Sequence, residues 1–276
     1  MLRAPDPVLV TELFPIERAA LLDLLGSLPP DDWSRPTIAG AWTVKDVAAH
    51  LVADDLGRVS RMRDGHGEAW NPNEGTLAAF IDRRNAEWVG AMRRLSPAIV
   101  LSLLAFGGQE TQRLFESLDP FALGGPVSWV GPGPAPIWLD LARELTERWH
   151  HQQQIRDALG AASLDDPRLL RPVLDTFAFS LPAAYRGVEA APGASVEVRV
   201  DGPGGGAWSV IREGGGWALF AGTSGSPPTA AVDLDEDAAW RMYVRALPEP
   251  ELERRATITG DVALGRHALR AFALVS

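Results

Sequence analysis

The chain has 276 residues, no cysteine and a formal net charge of -10, with 46% hydrophobic and 22% charged residues, the profile of a soluble globular protein of one large or two ordinary domains. Without cysteine it can form no disulfide, iron–sulfur cluster, Cys-ligated zinc site or cysteine nucleophile, so any thiol chemistry must use a thiol from outside. Net acidity argues against a nucleic-acid partner, because phosphates need a basic surface, and the short clusters "RMRDGH" and "MRRLS" read as solvated helix faces.

No stretch has the uninterrupted apolar length that spans a bilayer, and the opening "MLRAPDPVLVTELFP" lacks a basic segment followed by an apolar one. The expectation is a cytoplasmic protein with no membrane partner.

The chain reads as helical to about Gly160. "DPVLVTELFPIERAALLDLLGSL" repeats apolar residues at helical spacing and stops at the prolines of "LPPDDW". In "TIAGAWTVKDVAAHLVADDLGRVSRM", Thr43 is an N-cap candidate with Asp46 three residues on. "TLAAFIDRRNAEWVGAMRRL" is a third helix with Phe80, Ile81, Trp88 and Met92 as expected core positions, and shorter helical pieces follow around "SPAIVLSLLAF" and "TQRLFESL". The Gly/Pro-rich "ALGGPVSWVGPGPAPIW" is a loop without the Gly-Lys-Ser/Thr ending of a phosphate cradle. A long helix then begins near Pro136 and ends at Gly160, which completes the predicted N-terminal four-helix bundle.

Beyond Gly160 the character changes. "DDPRLLRPVLDTFAFSLPAAY" is helical, and "ASVEVRVDGPGGGAWSVIREGGGWALFAG" alternates in the manner of a β-meander. "AAVDLDEDAAWRMYVRAL" and "ATITGDVALGRHALRAFALV" each run from strand to helix, the first Asp-capped. The expected class is α+β: a helical bundle over residues 1–164 and a smaller α+β domain over 165–276.

The chemistry is concentrated in "LARELTERWHHQQQIRDALG". On a helix, Glu147, His150, His151 and Gln154 share one side, and Trp138, Leu141, Ala142, Leu145 and Trp149 share the other. An amphipathic helix with a wet polar face accounts for that pattern. The sharper reading gives a carboxylate and an imidazole, Glu147 and His151, to one metal. His50, lying in an otherwise apolar helical stretch, supplies a third ligand; alone it would read as a satisfied core histidine. Two histidines and a carboxylate leave a coordination position open, which suits catalytic zinc and also non-haem iron.

The phrase "DDWSRPTIAGAWTVKDVAAHL", followed far downstream by "TERWHHQQQIRDALG", resembles the DinB-like, mycothiol-dependent maleylpyruvate isomerase family. Its marks are W-x-x-P-T, G-x-W-T-V-x-D-x-x-x-H-L and the later E-x-x-x-H. The resemblance implies a metal-carrying four-helix bundle, with His50, Glu147 and His151 on the ligand positions. It chooses His151 over His150, which helical geometry leaves open, and makes His150 a pocket residue. It implies zinc as the metal, with iron and nickel as the other candidates, and a low-molecular-weight thiol of the mycothiol kind as cosubstrate. Many relatives have Asp where this chain has Gln154, a position tied to the ligand or the thiol cofactor. The family's functional arginine corresponds to Arg83 or Arg84 in "IDRRNAEW", there to hold a substrate carboxylate. "AAVDLDEDAAWRMYVRALPE" and "ITGDVALGRHAL" are similar to a sterol-carrier-type accessory domain.

The implied function is isomerisation, or thiol transfer, on a small electrophilic substrate. Two alternatives stand beside it. One is a non-catalytic lipid- or small-molecule-binding protein built on the C-terminal sheet. The other is a metal-dependent hydrolase using Glu144 or Asp54 as base, both of which read as surface carboxylates. Of the ten tryptophans, Trp42 and Trp149 lie close enough in sequence to the ligands to line the cleft. His66 and His267 receive no role.

Overall fold

Thr43 stops the chain from entering a helix one residue too early. Its backbone is extended and its hydroxyl accepts the Asp46 N–H, while the Asp46 carboxylate accepts the Thr43 N–H, a full capping box. From there α2 (Val44–Met62) runs on, preceded by α1 (Phe14–Gly26) and followed by α3 (Leu77–Met92), α4 (Pro97–Glu116) and α5 (Ile137–Leu159). The structure is a computed structural model describing residues 1–273; the last residues of the predicted final strand-to-helix stretch, from 274 on, lie outside it. Gly160 ends α5 with φ +64, a left-handed conformation that glycine adopts without strain.

The chain divides into two compact units: residues 10–120 and 147–164 form a helical one, and residues 1–9, 121–146 and 165–273 an α+β one. The division runs inside α5. In the helical unit α2 packs on α4 and α3, and α4 on α1. Leu21, Val47, Leu51, Val100, Leu104 and Ile155 meet in its core, one or more from each of α1, α2, α4 and α5. The third helix differs from expectation: Met92 is buried, but Trp88 is 38% exposed, with Val89 taking the inward position beside it. A helix packed along one narrow stripe buries few of its apolar residues. The two pieces predicted around residues 96–118 are one helix, α4, continuing through Gly107 and Gly108. There a Cβ on Gly107 would meet that of Asp55 at 2.9 Å, so glycine allows α2 and α4 their close approach.

In the α+β unit α6 (Pro167–Ala178) and α7 (Leu181–Ala184) precede β1 (Ser195–Asp201), β2 (Gly206–Glu213) and β3 (Gly216–Ala221). Then come β4 (Ala230–Asp235), α8 (Glu236–Tyr243), α9 (Glu249–Arg255), β5 (Thr257–Gly260) and α10 (Val262–Arg266). The sheet order is β3-β2-β1-β4-β5, antiparallel except for the central β1–β4 pair. The meander supplies three strands, and β4 then crosses to the far side of β1. Asp235 caps α8 by accepting the Ala238 N–H at 2.7 Å, as its position in sequence predicts. The fold is α+β: a helical bundle plus a five-stranded sheet with its own helices. Among the described residues no helix is long and apolar enough to cross a membrane.

The Asp46 cap carries a pH signature. Burial pushes its carboxyl up, but Arg93, at 2.9 and 3.1 Å, and Thr43 pull it further down, so the net pKa is lowered. A depressed carboxylate stabilises above its unfolded pKa and loses that contribution as pH falls through the folded one. Asp46→Ala is therefore expected to cost about 1 kcal/mol at pH 7 and to lose that deficit as pH falls through the lowered pKa of Asp46. Urea denaturation along a descending pH series measures both.

Candidate metal centre

His50 of α2 and the pair Glu147 and His151 of α5 come from two helices, and all three belong to the helical unit. His50 Nε2 lies 3.2 Å from Glu147 Oε1, and His151 Nε2 lies 3.1 Å from the same oxygen. One donor atom from each residue falls within 4.8 Å of the other two. Two ligands bound tetrahedrally to one zinc sit about 3.3 Å apart, so the spacing fits a shared metal. Both histidines are buried, at 5% and 7% exposure, while the Glu147 side chain is 26% exposed.

The protonation pattern also fits. Gln154 Oε1 lies 2.8 Å from His151 Nδ1, and an amide oxygen can only accept, so with Nδ1–H donating to it a neutral His151 turns a lone pair at Nε2 toward Glu147 and a protonated one donates Nε2–H to it. A carboxylate oxygen facing a nitrogen lone pair at 3.1 Å requires a cation or a proton between them. The electrostatics follow. Burial pushes Glu147 up, but His151, His50 and His150 pull it well below the usual carboxylate range. Burial pushes His151 down, and the Glu147 charge and the Gln154 hydrogen bond more than reverse this. For His50 burial prevails over Glu147 and lowers its pKa. A proton and a divalent metal thus compete for the same lone pair.

His50 Nδ1 is buried without a hydrogen-bond partner among the described residues, so His50 lacks the support that Gln154 gives His151. Its ring is steadied by Trp42, whose indole lies 5.1 Å from His50 and 6.4 Å from His151, centre to centre. Trp42 is held by its own loop. The Thr37 N–H and hydroxyl both donate to the Trp42 carbonyl, at 2.9 and 2.8 Å, and the Trp42 N–H donates to the Ala39 carbonyl. The W-x-x-P-T…W-T-V pattern thus builds a closed loop against the two imidazoles.

His150 joins the cluster with its ring 4.0 Å from that of His151 and Nδ1 3.9 Å from Glu147 Oε2. The arginines of α3 are engaged differently. Arg83 is ion-paired with Glu68 and Glu87, neither a member of the cluster. Arg84 lies over the Phe80 ring and reaches toward Gly57 of α2, with Nη2 3.6 Å from where a Cβ would stand. Trp149 is fully buried and donates to the Leu164 carbonyl, so it is core and not cleft wall.

The wet-face reading of α5 is overturned. Gln152, Gln153 and Gln154 are 0%, 2% and 8% exposed, and Arg148 1%. The glutamines are interior, not helix surface. Glu144, expected at the surface, is 1% exposed and paired with Arg143. Sequence reasoning also missed a buried charge network. Asp55 accepts from Arg148 at 2.9 Å and from Arg18 at 2.6 Å, and Arg18 donates to the Leu104 carbonyl at 2.7 Å. Beside it, Glu17 is fully buried with neither carboxylate oxygen hydrogen-bonded among the described residues, and burial raises its pKa against the pull of Arg18 and Arg148. The one available signal was the pair Asp54–Asp55 in an otherwise apolar helix face.

Two uncharacterized proteins of Mycobacterium tuberculosis, from strains CDC 1551 / Oshkosh and ATCC 25618 / H37Rv, are each 31% identical to this chain over 139 residues. The match covers 50% of this chain and 51% of either relative, so the chain spans about half the length of the curated relatives it matches. Among solved structures, the mycothiol-dependent maleylpyruvate isomerase superposes with a TM-score of 0.54 at 13% identity, and a histidine-to-alanine variant of it with 0.52 at 12%. Each covers 84% of this chain and 86% of its own, a likeness of fold. The family model of the mycothiol maleylpyruvate isomerase N-terminal domain matches residues 14–156, which include His50, Glu147 and His151. With more than half of its length under that model, this chain belongs to the mycothiol maleylpyruvate isomerase N-terminal domain family.

Proposed function

We propose that this chain is a metal-dependent enzyme that takes an external low-molecular-weight thiol, of the mycothiol kind, and isomerises or thiolates a small electrophile. The observation that carries the reading is the convergence of two imidazole Nε2 atoms on one oxygen of Glu147. Family membership and the absence of any cysteine of its own support it.

His50, Glu147 and His151 would hold the metal, zinc in the first place and iron or nickel otherwise. When bound, the metal supplies Lewis acidity that keeps a thiol deprotonated near neutral pH. The chain's own residues do the rest. Gln154 holds His151 in the ligating tautomer, Trp42 keeps both rings in place and shuts water from one side, and His150 borders the pocket beside Glu147. A substrate carboxylate would pair with an arginine of α3. Arg84, leaning toward α2, is better placed than Arg83, which already serves Glu68 and Glu87. Residues 165–276 would serve as a sterol-carrier-like accessory domain.

Metal analysis of the purified protein by elemental mass spectrometry tests the first half of the reading, and turnover of maleylpyruvate with and without mycothiol tests the second. About one equivalent of divalent metal and turnover that needs the thiol are expected. Protein that stays metal-free after incubation with zinc, cobalt and nickel would sink the proposal, and turnover independent of thiol would redirect it to hydrolysis.

A further inference from the structure

We propose that Arg148 is a positioning residue of the metal centre: by pairing with Asp54 and Asp55 of α2 it sets the rotation of α5 about its axis, so that Glu147 and His151 face His50. The inference rests on the metal-centre reading above.

Successive residues on a helix point about 100° apart. Glu147 meets α2 at His50, while Arg148, next in sequence, meets α2 one turn further on, its Nη2 2.9 Å from Asp55 Oδ1 and 3.4 Å from Asp54 Oδ2. Two attachments at different azimuths and heights fix both rotation and sliding, whereas a single attachment leaves a helix free to turn. The guanidinium is itself enclosed. It is 1% exposed, and its central carbon lies 5.4 Å from the Phe14 ring centre and 5.7 Å from that of Phe115. Asp55 is equally constrained, because its second oxygen accepts from Arg18 at 2.6 Å. Arg18 in turn reaches the Leu104 carbonyl, so α1, α2, α4 and α5 are joined through polar contacts of fixed direction.

Apolar side chains would fill the same volume at lower desolvation cost, since replacing a buried ionic triad by well-packed hydrophobic residues is often neutral or stabilising. What such a core lacks is directionality. Packed aliphatic side chains tolerate small helix rotations, while a metal site requires its ligands within about 0.5 Å of their places. Fixing the ligand helix is thus the advantage the buried network offers over a greasy one.

The test compares zinc affinity, by calorimetry, in the unaltered chain, in Arg148→Lys, and in the apolar triple variant Arg18→Met/Asp55→Leu/Arg148→Met. Thermal unfolding and the cobalt(II) absorption spectrum are measured alongside. Arg148→Lys keeps the charge and loses the fork, and about tenfold weaker zinc binding is expected, the usual consequence of disturbing a ligand's support. The triple variant is expected to unfold as cooperatively as the unaltered chain and yet bind zinc about tenfold or more weakly, with a changed cobalt spectrum. Zinc affinity within about twofold of the unaltered chain in the folded triple variant and in Arg148→Lys would overturn the inference. Arg148→Lys alone decides if the triple variant does not fold. An unaltered chain that takes up no zinc would instead overturn the metal-centre reading, and the inference with it, a result read before any variant is made.

Discussion

Glu147→Gln is expected to weaken zinc binding by roughly 100-fold or more, a larger loss than disturbing a ligand's support causes, while the helical unit stays folded. Its Oε1 is the point on which both imidazoles converge, at 3.2 and 3.1 Å, so the neutral amide removes both a donor and the charge that attracts a cation. Shape is preserved, which is why folding should survive. A second signature appears in the metal-free protein. Burial pushes His151 down and Glu147 more than restores it, so its folded pKa is raised. A raised histidine contributes stability that is complete below its unfolded pKa and is lost as pH rises through the folded one. In chelator-treated protein, thermal stability should therefore fall across that window for the unaltered chain and stay flatter for Glu147→Gln. Unchanged zinc affinity in the variant would mean that the metal, if bound at all, sits elsewhere.

What the sequence discloses is local chemistry. The capping box at Thr43 and Asp46, the Asp235 cap, the end of α5 at Gly160 and the alternation in β1 to β3 are each written in a few adjacent residues and appear as expected. Periodicity is weaker evidence about surroundings. The polar side of α5 has the pattern of a wet face, but His150, His151 and the three glutamines are buried, because a 3.6-residue repeat separates two faces without saying that one of them meets water. The converse failure occurs in α3, where an apolar Trp88 faces outward. Among the site residues, the i,i+4 pair Glu147 and His151 can be read from helix geometry. The meeting of His50 with that pair spans 97 positions; a polar residue in an apolar helix marks His50 as a candidate, and family resemblance supplies the choice of His151 over His150. The Arg18–Asp55–Arg148 network joins three distant segments, and its one local sign, the Asp54–Asp55 pair in α2, does not say which cations it meets.

Asp55→Ala is expected to cost about 3–5 kcal/mol, because it leaves two cations, Arg18 and Arg148, in the bundle core without their shared carboxylate. Asp55 is fully buried, and each oxygen accepts from a different arginine. The neighbouring Asp54 is the internal control. It carries the same charge and faces the same Arg148 at 3.4 Å, but its side chain is 20% exposed, so its carboxylate is only partly removed from water. Asp54→Ala should therefore cost about 1 kcal/mol or less. Urea denaturation of both variants at pH 7 makes the comparison, since two adjacent aspartates on one helix turn share propensity and net charge and differ chiefly in burial. Equal losses would mean that Arg148 is held by its position between Phe14 and Phe115 and not by Asp55. A large loss at Asp55 alone would place the cost in desolvated charge, where removing one partner is far worse than removing all of them.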